Sequence, residues 1–278
     1  MSVFYAAAIQ LNSQPDYRES MEMVKQAVRE AAGNEAIFVA LPENFAFMGD
    51  ELEKHRQAEV IEEAVLKTIP ELCRKYGITI MAGGYPVRAD SGKVYNRAIL
   101  VNSEGEITAR YEKIHLFDVD LSEDETYRES DTVEAGNPEP VVSGIHIRDE
   151  VIQAGLSICY DIRFPELYRR LAGLGAEMVC IPAAFTRPTG EAHWEILLRA
   201  RAIENSCYVI APAQTGIHGE KRKTHGHSMI IDPWGRILAD AGTEPGMALA
   251  EIDTGLIGEI RQKLPSLKHR VFFVDINN

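Results

Sequence analysis

Cys159 stands where the apolar run Gly155-Leu-Ser-Ile158 gives way to Tyr160-Asp-Ile-Arg163 and a helix start at Phe164-Pro-Glu166. A nucleophile on a sharp strand-to-helix turn is presented outward with backbone N–H groups beside it, which suits attack on a carbonyl. Cys73, Cys180 and Cys207 lie inside apolar or helical segments and read as core residues. A thiol nucleophile needs a base. His193 falls in a helical pattern, and His225 and His227 flank a glycine ahead of a strand, so no local sequence recommends a histidine, although spacing alone leaves that pairing open. Glu43 closes an apolar run as Cys159 does, and functional groups of α/β sheets gather at the carboxyl ends of strands. Lys113 follows a strand pattern, and Glu129 lies sixteen residues later in an acidic loop. Taken singly, these charges read more readily as a solvated loop acid, a surface lysine and a hydrated loop acid.

The acidic loop carries a false lead. Asp118, Asp120, Ser122, Asp124 and Glu129 match calcium-loop positions, but the position that requires glycine is Glu123. The histidines give no zinc spacing. Neither a metal nor a cofactor is expected.

The elements that must hold these residues alternate along the chain. Tyr17, Met21, Val24, Val28 and Ala31 recur at helical spacing between strand-length apolar runs at 4–11 and 36–41. A mostly helical stretch follows over 51–76. Further strands are predicted at 78–84, 95–101, 107–111, 151–158, 178–181, 208–213, 228–231, 237–239 and 247–252. Helices are predicted at 164–174, 191–205 and 256–264, with an arm over 265–278. Asp232-Pro-Trp-Gly235 reads as a hairpin turn. Short turns between adjacent strands make the sheet mixed, and the absence of linkers or repeats makes residues 1–278 one α/β domain.

Composition narrows the function. A formal net charge of −13 disfavours nucleic acid as a partner. No apolar run approaches the ~18–20 residues that span a bilayer, the N-terminus has no secretory pattern, and no two of the four cysteines form a C-x-x-C pair. These features predict a cytoplasmic protein with reduced thiols and no membrane contact.

Three segments, in order, resemble the nitrilase or carbon–nitrogen hydrolase superfamily: Leu41-Pro-Glu43-Asn, Tyr111-Glu-Lys113-Ile-His-Leu-Phe-Asp118 and Ser157-Ile-Cys159-Tyr-Asp-Ile-Arg-Phe-Pro-Glu166. The likeness continues through Thr189-Gly-Glu-Ala-His-Trp-Glu195, Arg199-Ala-Arg-Ala-Ile-Glu204 and Gly226-His-Ser228 to Asp232-Pro-Trp-Gly235. It implies a four-layer α-β-β-α sandwich with mixed sheets that forms a homodimer or higher oligomer. It implies Glu43, Lys113 and Cys159 as catalytic residues, with Glu129 as the second glutamate. Cys159-Tyr-Asp-Ile-Arg-Phe-Pro-Glu looks like the Nit-type amidase branch, closer to amidases of deaminated glutathione than to ω-amidases, carbamoylases or nitrilases. A silent binding protein on the same fold is the contrasting class.

The resemblance implies hydrolysis of a small acidic amide through a cysteine thioester, releasing ammonia. Glu43 would act as the base, and Lys113 with the backbone N–H of Tyr160 would hold the oxyanion. Desolvation and a neighbouring acid are expected to raise the pKa of Glu43. Arg187, Lys221, Arg222 and Lys223 offer a cationic rim for a substrate carboxylate, while Arg163, Arg199 and Arg201 read as partners of Glu166, Glu195 or Glu204. Thr186-Arg-Pro188 departs from the family pattern, where a smaller or neutral residue is expected.

Overall fold

Side-chain alternation along the first strand sets the plan of the molecule. The computed structural model describes residues 2–121, 126–148, 150–219 and 222–272, so Lys221, the loop at 122–125 and residues 273–278 of the expected arm lie outside the described residues. The chain begins with β1 (Val3–Leu11), α1 (Tyr17–Gly33), β2 (Ala36–Leu41), α2 (Glu51–Arg56) and α3 (Ala58–Tyr76). It continues with β3 (Thr79–Arg88), β4 (Val94–Val101), β5 (Ile107–Glu112) and the small pair β6 (Asp118–Asp120) and β7 (Thr126–Arg128). Then come β8 (Val141–Ile147), β9 (Glu150–Leu156), α4 (Pro165–Gly173), β10 (Met178–Cys180) and α5 (Arg187–Asn205). The last elements are β11 (Tyr208–Ala211), β12 (Ala213–His218), β13 (Arg222–His225), β14 (Met229–Ile231), β15 (Ile237–Asp240), β16 (Gly246–Asp253) and α6 (Thr254–Lys263).

One sheet has the order β13-β12-β1-β2-β3-β4-β5, with β16 also paired to β1. The other has the order β15-β14-β11-β10-β9-β8. Successive residues of a strand face opposite sides. Ala7, Ile9 and Leu11 of β1 therefore join Val39, Leu41, Ile80 and Ile99 in a core covered by Met21, Val24 and Val28 of α1 and Ile61, Val65 and Ile69 of α3. Ala6 and Ala8 face the other way, with Phe38, Ala40 and Met81, into a core shared with Ile152, Ala154 and Leu156 of the second sheet. Leu167 and Leu171 of α4 and Trp194 and Leu198 of α5 belong to that same cluster. The result is the expected α-β-β-α stack with mixed sheets.

Several elements depart from the sequence reading. The run at 208–213 is two strands, because Pro212 has no N–H for a ladder and the chain crosses there from the second sheet to the first. The helical stretch at 51–76 breaks at Gln57 into α2 and α3. Helix α5 begins four residues early, with Pro188 in its first turn, where the missing N–H costs nothing. Strands β6, β7, β8, β12 and β13 were not anticipated by hydrophobic alternation.

Strands β1, β2 and β3 run parallel, as do β9, β10 and β11. Two antiparallel steps, β3 to β4 to β5, point β5 the same way as β2. The two sheets meet at their strand ends through Gly83 and Gly84, where β3 is irregular in register between Ala82 and Tyr85. A Cβ at Gly83 would lie 2.2 Å from Pro182 Cβ and 2.7 Å from the Leu41 carbonyl oxygen. At Gly84, with φ +36°, it would lie 2.6 Å from Asn96 Oδ1 and 2.8 Å from Glu43 Cγ. Gly83→Ala is therefore expected to lower stability by about 1–3 kcal/mol, the range for overpacking, and to reduce any activity at the adjoining cluster. Gly258→Ala in α6, where nothing lies within 4 Å, is the control and should be neutral or stabilising. Denaturant unfolding of the two variants checks the contrast.

Candidate active site

Each of the four expected side chains leaves the carboxyl end of a strand. Glu43 lies two residues past β2, in a turn that Asn44 closes with φ +60° and an N–H donated to the Gly84 carbonyl at 2.7 Å. The Gln214 amide donates to the Glu43 carbonyl at 3.0 Å and fixes that turn from β12. Lys113 follows β5, and its N–H donates to the Asn96 carbonyl at 2.9 Å. Glu129 opens a 3₁₀ turn, Glu129–Asp131. Cys159 opens another, Cys159–Arg163, beyond β9, with φ +48° and its N–H donated to the Pro182 carbonyl at 2.8 Å. Left-handed φ at a non-glycine residue is a strained backbone, and surrounding structure must enforce it.

These side chains converge. Lys113 Nζ donates to Glu43 Oε1 at 3.0 Å and to Glu129 Oε1 and Oε2 at 2.9 and 2.8 Å. The Cys159 thiol is a hydrogen-bond partner of the Glu43 carboxylate. Cys159 is 8% exposed, Glu43 3% and Lys113 2%. Asn96 Nδ2 donates to Glu43 Oε1 at 2.9 Å, the Ala184 N–H to Glu43 Oε2 at 3.1 Å, and the Phe117 N–H to Glu129 Oε2 at 2.6 Å. The sequence reading missed Asn96 and Ala184. The signal for Asn96 was available: it is the one polar residue in the inward-facing set Val94, Asn96, Ala98 and Leu100 of β4.

Electrostatics fixes the resting protonation. Burial opposes charge on Lys113, but Glu129 and then Glu43 outweigh it and hold the ammonium well above the ordinary lysine range. Burial likewise opposes ionisation of Glu43, yet Lys113 and the Cys159 hydrogen bond prevail and hold its carboxyl below the usual range. The expectation of a raised Glu43 pKa is thus corrected, because the Lys113 ammonium and the Cys159 hydrogen bond together outweigh burial. Burial, then the Glu43 charge, push the Cys159 thiol well above its ordinary value, against a smaller opposing pull from Lys113. At neutral pH the cluster holds a thiol, an ammonium and an ionised base in contact with the thiol.

A cavity of about 520 Å³ opens onto Cys159, Glu43, Lys113 and Glu129, with Tyr160 and Phe185 among its walls. Arg222 lines it and pairs with Glu51 at 3.2 Å. Arg163 also lines it, with its guanidinium 5.4 Å from the Phe185 ring centre. Among the described residues, no carboxylate pairs with Arg163; it meets His193 Nδ1 instead. Arg187 is not in the lining; it is exposed and pairs with Glu191 at 2.9 Å along α5. Arg199 and Arg201 pair with Glu195 and Glu204, at 3.1 and 2.6 Å. In the calcium-like loop Asp120 already pairs with Arg128 at 2.7 Å, and Asp118 accepts the Ser130 N–H at 3.0 Å. Ser122 and Asp124 lie outside the described residues.

Glu43→Gln removes the anion that raises the thiol and leaves Lys113, which lowers it. Its Cys159 should therefore ionise at lower pH than in the wild type, followed as thiolate absorbance against pH. Cys73 and Cys207, which burial pushes up to about 12, leave the transition uncluttered. An unchanged or higher midpoint contradicts the electrostatic assignment.

A family model described as carbon-nitrogen hydrolase matches residues 5–262. A deaminated glutathione amidase of Synechocystis is 51% identical over 98% of this chain and 100% of its own length. The crystal structure of the C. elegans NitFhit protein superposes with a TM-score of 0.88 at 36% identity, covering 98% of this chain and 66% of that one. An amidase from Nesterenkonia sp. AN1, in which acrylamide has added to the active-site cysteine, gives a TM-score of 0.78 at 25% identity, covering 94% of this chain and 98% of its own.

Proposed function

The chain belongs to the carbon–nitrogen hydrolase family and hydrolyses C–N amide bonds, and from that premise we propose that Cys159 is the nucleophile, Glu43 its base and Lys113 its electrophilic partner. The observation that carries this reading is one buried cluster in which the Glu43 carboxylate accepts from Lys113 Nζ at 3.0 Å and partners the Cys159 thiol, although Glu43 and Lys113 are 70 residues apart in sequence. An amide is a weak electrophile, and a covalent intermediate divides its hydrolysis into two lower barriers. Cys159 Sγ bonds to the carbonyl carbon while Glu43 takes the thiol proton. The oxyanion forms against the Lys113 ammonium and the Tyr160 N–H. Glu43 then gives its proton to the departing amine, the C–N bond breaks and a thioester remains. A water that loses its proton to Glu43 adds to the thioester carbonyl, the C–S bond breaks to release the acid, and Glu43 returns the proton to Cys159 Sγ. Glu129 keeps Lys113 charged and aimed.

We assign deaminated glutathione as the substrate, supported by the Synechocystis relative's name and its identity over the full chain. Its secondary amide releases a cysteinyl amine, so ammonia is the leaving group only for a primary amide. Arg222 and Arg163 are the cavity cations available to a substrate carboxylate. We place the protein in the cytoplasm, in keeping with its four free cysteines, and we read it as a homodimer. Among the described residues no helix is long and apolar enough to cross a membrane. The dimer would cover Ile196 and Ile203 of α5 beside Trp234, which are 69%, 45% and 52% exposed.

Two experiments test this reading. Cys159→Ala should abolish hydrolysis of deaminated glutathione, and Lys113→Ala should lower kcat by ~10²–10³, as loss of one oxyanion donor does. Faster turnover of α-ketoglutaramate than of deaminated glutathione by the wild type would move the assignment to an ω-amidase. Separately, Ile196→Glu with Trp234→Glu should convert a dimer to monomer in sedimentation velocity; unchanged mass would place the contact elsewhere.

A further inference from the structure

Asp161 makes no contact with the reacting groups described above, yet it is completely buried at 0% exposure. A carboxylate accepts hydrogen bonds and donates none, with about four lone-pair sites on its two oxygens. Here four donors are supplied. Oδ2 accepts the Tyr111 hydroxyl at 2.6 Å and the Ile158 N–H at 2.8 Å. Oδ1 accepts the His115 N–H at 3.1 Å and His115 Nδ1–H at 2.7 Å.

The sequence positions of those donors give the group its meaning. Tyr111 lies two residues before Lys113 and His115 two residues after it, so the carboxylate grips the lysine's segment on both sides. Ile158 immediately precedes Cys159, and the Asp161 N–H donates back to the Ile158 carbonyl at 3.1 Å. The same residue therefore closes the strained turn that carries the thiol. Elsewhere the two backbones are held by different partners: Asn96 and Gly136 for Lys113, Pro182 for Cys159. The His115 ring is also stacked on Phe164, at 3.6 Å between centres and 7° between planes, which fixes the orientation of its Nδ1.

We propose that Asp161 is a positioning residue for the hydrolytic reaction, setting the Cys159 turn in register with the Lys113 segment through Tyr111, His115 and Ile158. Asp161 acts through other residues and touches no substrate. Its effect is on the distance between the nucleophile and the oxyanion's cation, and displacements near 1 Å at such a centre cost about 10²-fold in rate. The proposal rests on the reading of Cys159 as nucleophile and Lys113 as its partner.

Asp161 itself is a poor site to change, because an amide in its place would turn an NH₂ toward two donors. The outer donors are better. Tyr111→Phe removes one hydrogen bond, and His115→Ala removes another at a ring that is 28% exposed. Both leave the Asp161–Ile158 bond intact. With deaminated glutathione as the probe, each should lower kcat by about tenfold or more while KM stays within about twofold. His115→Asn, whose side-chain N–H can stand where the imidazole Nδ1–H stood, should recover most of the loss. The inference is overturned if both single variants keep wild-type kcat, if KM rises in step with the fall in kcat, or if His115→Asn is no better than His115→Ala. A Cys159→Ala protein as active as the wild type would instead remove the underlying reading, so the two failures are distinct.

Discussion

A single ammonium holds the centre of this molecule together. Lys113 is withdrawn from water, and its charge is sustained there by contact with Glu129 and Glu43. Removing Lys113 would leave two buried carboxylates without their cation, a loss of the kind that typically costs about 3–5 kcal/mol. The same arrangement determines the chemistry. One carboxylate on a shared cation can serve as a base, while the second keeps the cation charged throughout. Without Glu129, the proton on Lys113 and the negative charge on Glu43 would be in direct competition.

The constraint on the fold is to bring strand ends from two separate sheets to that ammonium. Glu43 and Lys113 come from the first sheet and Cys159 and Ala184 from beyond β9 and β10 of the second. Two features allow the approach. Gly83 and Gly84 strip side chains from the point of contact, and Pro212 passes the chain from one sheet to the other. Both are backbone devices. They stabilise nothing by their own side chains and act by leaving room or by ending a ladder.

This explains what could and could not be read from the amino-acid order. Long apolar runs and the helical spacing of Tyr17 to Ala31 revealed the buried strands and α1, because burial imposes those periods. The resemblance carried Glu43, Lys113, Glu129 and Cys159, and the structure brings these four together. Residues with mixed duty were opaque. Strands β12 and β13 carry polar residues that are satisfied by distant partners, as Gln214 is by Ser13 and Glu43. Arg187 and Arg222 look alike as sequence, but α5 directs one along its own exposed face, and β13 sets the other in the cavity wall. The sign of the Glu43 shift depended on the balance between its burial and the Lys113 charge, which no spacing encodes.

The elevated thiol has a consequence for the protein's chemical durability. Thiolates, not thiols, are the species that peroxides oxidise and that exchange with disulfides. At neutral pH Cys159 keeps its proton, and the remaining cysteines are sealed in the interior with theirs. A sulfur that stays protonated at rest is a poor target for capping by small disulfides.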